Sequence, residues 1–235
     1  MKVEIWSDVM CPFCYIGKRN IEAALKQCPE AKNIEIEWKS FQLDPALPET
    51  PTDTHQEYLV KRKGFPAEQI NGMLQQVTNT AKQAGLDFNL EQSVIVNSFK
   101  AHQLIQFAKT KQLGDKAEEI LFKAYFTDGK NLASLEVLTT LAQEIGLHPQ
   151  EAQQAFTDPQ YTQKAQQEIN EAKQIGVTGV PFFVFNRKYA VSGAQPPQAF
   201  LQALEQSYTE FKQKNPFTKL ETSKGDSCDT DGNCN

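Results

Sequence analysis

Hydrophobic and polar positions divide this chain into zones of different period. The run Val3-Glu4-Ile5-Trp6-Ser7-Asp8-Val9 is rich in apolar residues and predicts a strand. Tyr15 to Leu25 has helical spacing. In Asn33 to Phe41, Ile34, Ile36 and Trp38 alternate with polar residues, which predicts a strand with one buried face. The first 41 residues therefore read strand, helix, strand, a right-handed parallel crossover. The Pro-rich stretch Leu43 to Pro51 breaks this pattern. Helical spacing then dominates over 54–62, 66–84, 91–111, 115–126, 134–145, 149–156 and 158–174. Ser134 reads as an N-cap, and so does Asp158 ahead of Pro159. Phe182-Phe183-Val184-Phe185, the polar Asn186-Arg187-Lys188 and Tyr189-Ala190-Val191-Ser192-Gly193 form a predicted hairpin. Pro196-Pro197 opens a last helix to about Lys214, with Phe200, Leu201, Leu204, Tyr208 and Phe211 on one face. Residues 215–235 are polar and read as a mobile tail.

With 235 residues, 40% hydrophobic and 23% charged, the chain is long and apolar enough for a globular fold with a substantial core. A net charge of -5 argues against a nucleic-acid surface, and no apolar run is long enough to span a membrane. Lys2, Glu4 and Asp8 interrupt the start in a way no signal peptide allows, so the expected compartment is the cytoplasm. Structural disulfides are rare there, and paired cysteines then lean toward redox chemistry or metal. The cysteines are Cys11, Cys14, Cys28, Cys228 and Cys234.

Cys11-Pro12-Phe13-Cys14 falls at the predicted strand-to-helix junction. A cysteine capping that helix faces unpaired backbone N–H groups, which favours thiolate over thiol at Cys11. Cys14 is one turn on, within reach of a disulfide after a modest adjustment. Pro12 suits the first turn, where its missing N–H costs nothing. The alternatives are half a zinc site or two buried structural thiols. No second C-x-x-C or His pair stands at zinc spacing, and His55, His102 and His148 are too scattered to complete a site. Neither a metal nor a cofactor is expected. Cys28 reads as a small packing residue, with a regulatory thiol as the alternative.

Three separated motifs resemble the FrnE-like branch of the DsbA family. They are Asp8-Val9-Met10-Cys11-Pro12-Phe13-Cys14-Tyr15-Ile16-Gly17-Lys18, the pair Val180-Pro181, and Val191-Ser192-Gly193-Ala194-Gln195. The resemblance covers residues 1–213. It implies an α/β, thioredoxin-like fold with an all-helical domain inserted between its βαβ and ββα halves. Residues 1–44 and 158–213 would form the discontinuous thioredoxin-like domain, 45–157 the insert and 214–235 the tail. It also implies a cis Val180–Pro181 bond beside Cys11, with Val180, Pro181, Pro12 and Phe13 touching substrate and the Val180 backbone pairing with an extended segment. Asp8, Trp6, Asn97 and His102 are candidate lining residues, with a partly exposed His102 of no role as the alternative.

Two departures matter. The position that holds a buried carboxylate in thioredoxin and DsbA, six residues before the first cysteine, is Ile5 here, which leaves Asp8 and Glu4 as candidate bases for Cys14. Phe13 replaces the histidine of DsbA, so the disulfide should be less oxidising. The implied function is protein thiol:disulfide exchange, in which Cys11 forms the mixed disulfide and Cys14 resolves it. Protein thiols and disulfides are the expected substrates, with glutathione or thioredoxin as electron partner and no nucleic acid or membrane. By the same resemblance Cys228 and Cys234 are a candidate second redox pair that relays electrons to the first, with adventitious thiols or a partial metal site as the alternatives. The rival readings are a glutathione-dependent isomerase or kappa-class glutathione transferase, and a chaperone-like binder of unfolded clients.

Overall fold

A computed structural model of the protein describes residues 1–51 and 53–214. Cys228 and Cys234 lie outside the described residues. Strand β1 (Lys2–Ser7) leads into helix α1 (Pro12–Gln27) and strand β2 (Glu35–Ser40). Seven helices follow: α2 (His55–Lys61), α3 (Ala67–Gln83), α4 (Phe99–Thr110), α5 (Gly114–Phe126), α6 (Leu135–Glu144), α7 (Pro149–Ala155) and α8 (Pro159–Gln174). The hairpin β3 (Phe182–Phe185) and β4 (Tyr189–Ser192) and helix α9 (Pro197–Lys214) complete the described chain.

The sheet order is β2-β1-β3-β4. β1 and β2 run parallel, as expected of two strands joined through a helix, and β3 is antiparallel to both β1 and β4. Asn186 and Arg187 take φ of 49° and 56°, the left-handed pair that a tight hairpin turn requires. The chain thus has the α/β, thioredoxin-like architecture with a long helical segment between β2 and β3.

Strand alternation assigns the two faces of the sheet. Val3 and Ile5 point to one face and pack with Ile21, Ala24, Phe200 and Leu204 of α1 and α9. Trp6 points to the other, where it packs with Ala172 of α8, Val177 and Val184. Cys28 is buried in the first of these clusters. A separate helical core gathers Leu104, Leu121, Phe122, Tyr125, Leu138 and Leu141, and it extends to Cys11, Cys14 and Tyr15. Tyr15 joins the two regions: its ring stacks 4.9 Å from Phe122, and its hydroxyl donates to Glu119 at 2.7 Å.

Some helix ends follow local chemistry. The Ser134 hydroxyl accepts from the Val137 N–H, and the Asp158 carboxylate accepts from the Gln160 N–H. The helix expected over 91–111 begins only at Phe99. Asn97 explains the late start. Its backbone N–H donates to Pro48 at 2.9 Å, and its side-chain amide donates to the carbonyls of Pro45 and Leu47. Its carbonyl oxygen then accepts from the Phe99 N–H at 2.9 Å. These bonds commit residues up to Ser98 to the Pro-rich linker rather than to a helix.

Candidate active site

Cys11 is the N-cap of α1, with extended backbone angles that turn the chain from the loop into the helix. A hydrogen bond from its N–H to the Asp8 carbonyl, 2.9 Å, closes the turn after β1. Pro12 occupies the first turn, as its lack of an N–H permits. Phe13 projects outward and is 43% exposed, whereas Cys11 is 5% and Cys14 0% exposed. Both cysteines are free thiols, so this is the dithiol form. The Cys11 thiol points at the Val180 carbonyl oxygen, 3.4 Å away. The Val180–Pro181 bond is cis. The Gly193 N–H donates to the Pro181 carbonyl at 2.9 Å, and the Asn20 amide of α1 donates to the Gln195 carbonyl at 2.9 Å, so the segment after β4 ties this loop to α1.

Burial pushes the Cys14 thiol well above its ordinary value, and the Cys11 sulfur beside it adds to the effect. The Asp8 backbone and the Ser7 hydroxyl act in the opposite sense. The two thiols are therefore unequal: one faces the loop and the surface, and the other is sealed behind it.

The remaining sequence candidates divide by position. The Asp8 carboxylate accepts from the N–H groups of Met10 (3.3 Å) and Leu43 (2.8 Å), so it ties the Pro-rich linker to the cysteine turn. His102 is fully buried rather than partly exposed, with Nε2 3.6 Å from Asp8 and neither ring nitrogen hydrogen-bonded. Asn97 anchors the linker, as described above. Trp6 lies on the sheet face opposite α1, and its indole N–H donates to the Glu168 carbonyl at 3.0 Å. Glu4, a candidate base for Cys14, shares that opposite face and pairs with Arg187 and with Lys39 at 3.4 Å.

Sequence reasoning missed three positions. Gly17 lets α1 approach the loop: a Cβ there would stand 3.1 Å from the Phe183 ring and 3.2 Å from the Pro181 ring. A glycine inside a helical pattern was the available signal. Glu118 of α5 is buried with an unpartnered Oε2, and burial pushes its carboxyl up to about 8. Nothing in its local sequence marks it. Ser7 carried no motif either. Among the described residues no group of three or more His, Cys, Asp and Glu is placed to hold a metal ion. Nor is any helix among them long and apolar enough to cross a membrane.

Residues 2–205 match the family model of the DSBA-like thioredoxin domain. The chain belongs to this family. It is 25% identical over 206 residues to the uncharacterized protein YwbO of Bacillus subtilis (strain 168), covering 86% of this chain and 94% of that one. The crystal structure of the probable DsbA oxidoreductase SCO1869 from Streptomyces coelicolor superposes with a TM-score of 0.84 at 32% identity, covering 100% of this chain and 98% of that one. The fold is also shared with the cytosolic disulfide reductase DsbM of Pseudomonas aeruginosa with GSH: TM-score 0.62, 15% identity, 92% and 99% coverage. As a DSBA-like protein with a dithiol at the head of α1, this chain is a thiol-disulfide oxidoreductase.

Proposed function

We propose that the chain exchanges disulfides with protein substrates through Cys11 and Cys14, Cys11 taking the mixed disulfide and Cys14 resolving it. One observation carries this reading: the Cys11 sulfur stands at the head of α1, 3.4 Å from the Val180 carbonyl, with Cys14 buried behind it. A sulfur at a helix N-terminus and near the surface suits attack on an incoming disulfide. The Val180 backbone suits pairing with an extended client segment, and the exposed Phe13 ring offers it an apolar contact. Glutathione or a thioredoxin would exchange electrons with the same pair. Cys228 and Cys234 would form a second couple that passes electrons to it, as their spacing in the sequence suggests.

Turnover of a protein disulfide such as insulin tests the reading. The wild type should catalyse reduction by a thiol donor, and Cys11→Ser should not. Full activity in Cys11→Ser would refute the assignment, and glutathione-dependent isomerisation that survives Cys14→Ser would move the protein to the rival class. Loss of turnover on replacing both Cys228 and Cys234 by Ser would support the relay, and unchanged turnover would end it.

A further inference from the structure

Removing a proton from Cys14 requires something to stabilise the sulfur anion in a site sealed from water. The carboxylate that thioredoxin and DsbA hold six residues before the first cysteine is replaced by Ile5, whose side chain lies in the apolar cluster under α1. The titratable groups in the neighbourhood are engaged elsewhere or, like Glu118 of α5, whose carboxyl burial holds neutral up to about 8, carry no charge at neutral pH. Glu4 points to the far face of the sheet, toward Arg187 and Lys39. The Asp8 carboxylate holds the Met10 and Leu43 N–H groups and faces His102. Lys18, one turn beyond Cys14, pairs with Glu22, with Asp115 at 3.0 Å and with Glu119 at 3.3 Å.

Ser7 remains. It follows Val3 and Ile5 at two-residue steps, so it shares the face of β1 that α1 covers. Its side chain is fully buried, as Cys14 is. It lies near enough to the Cys14 sulfur to favour the anion there, and among the described residues its oxygen has no partner at full hydrogen-bond geometry. A neutral thiol is a weak acceptor, so the dithiol leaves this donor uncommitted. A thiolate is a strong one.

We infer that Ser7 assists the resolving step directly: its hydroxyl donates a hydrogen bond to the Cys14 thiolate as that sulfur attacks the mixed disulfide. The inference rests on the dithiol chemistry proposed above. In that step the Cys14 thiol gives up its proton, matched by the one the departing client thiolate takes up, and its sulfur attacks the sulfur of Cys11. The Cys11–client bond breaks, the Cys11–Cys14 bond forms, and the client leaves as a thiolate that takes up a proton. Over capture and resolution together the cysteine pair is oxidised by two electrons and the client disulfide is reduced to two thiols. Ser7 keeps its proton throughout and lowers the cost of the anion that performs the attack.

The test isolates this step. Reduced protein is loaded at Cys11 with thionitrobenzoate as a mixed disulfide, and probe release by Cys14 is followed by rapid mixing across pH. Ser7→Ala should slow release about tenfold near neutral pH, the size of a lost hydrogen bond to a charged group, and move the rise in rate to higher pH. Ser7→Thr, which keeps the hydroxyl, should follow the wild type, and Ser7→Val, of the same shape without it, should follow Ser7→Ala. The Thr and Val pair decides the matter even if Ser7→Ala folds poorly. Identical profiles for Ser7→Ala and wild type, or equal slowing by Thr and Val, would overturn the inference and leave the oxidoreductase reading standing. A wild type that never releases the probe would refute that reading and the inference with it.

Discussion

The Sγ atom of Cys11 lies 3.4 Å from the carbonyl oxygen of Val180. An incoming disulfide that pairs with the loop through backbone hydrogen bonds is therefore delivered to this sulfur, while Cys14 behind it sees only what Cys11 has already captured. The expected result is an asymmetry between the two serine variants. Cys14→Ser should accumulate a client-linked species on Cys11, visible by non-reducing electrophoresis and mass spectrometry. Cys11→Ser should capture none, because Cys14 is fully buried. Equal trapping by both would mean that the two sulfurs are equally accessible.

The second expectation concerns pH. Burial raises the Cys14 thiol well above its ordinary value, so at neutral pH it is almost wholly protonated. Its attack needs the thiolate, whose fraction grows about tenfold per pH unit below the raised value. The wild-type resolving rate should climb with that slope from neutral pH upward. A rate that is flat between neutral and mildly alkaline pH would show that deprotonation of Cys14 does not limit the step.

Glu118 should make stability depend on pH. Its carboxyl is held neutral up to about 8, whereas in the unfolded chain it ionises near its ordinary value of about 4.3. Between those two values the folded chain binds the extra proton. Stability is therefore fully present below the lower value and falls as pH rises through about 8. The slope from this one group approaches about 1.4 kcal/mol per pH unit. Urea midpoints measured from mildly acidic to mildly alkaline pH should decline less steeply in Glu118→Gln than in wild type. Parallel curves would show that Glu118 ionises freely in the folded protein.

Gly17→Ala should damage both stability and turnover. Elsewhere in a helix this change gains about 1 kcal/mol of propensity. Here the new methyl meets the Phe183 and Pro181 rings at 3.1 Å and 3.2 Å, closer than ordinary contact. Overpacking at such a site costs about 1–3 kcal/mol, and the movable partner is the loop that carries Val180. Thermal unfolding and insulin reduction should both report a loss. A variant as stable and active as wild type would mean that α1 and the loop can separate without consequence.

Read from the chain alone, the strand, the helix opening at Cys11-Pro12, the second strand and the late hairpin are all legible. Each of these depends on a local period or a local cap, and the structure places them at β1, α1, β2, β3 and β4. The dithiol was legible for the same reason, since its spacing and its position at a helix start lie within a dozen residues. What lies around the dithiol was not. Val180 reaches Cys11 across 169 residues. Asn97 looked helical because its neighbours have helical spacing, but carbonyls some fifty residues earlier claimed its amide. Sequence spacing leaves His102 open between lining the site and a partly exposed position, and packing buries it fully beside Asp8. Ser7 and Glu118 carry no local signal, and Gly17 shows only as a glycine inside a helical pattern. Periodicity reports that a face is apolar, and a cap reports where a helix begins. Neither says which face packs against which, and it is that packing that removes water from Cys14, leaves the Ser7 hydroxyl near it, and holds a carboxyl neutral at Glu118.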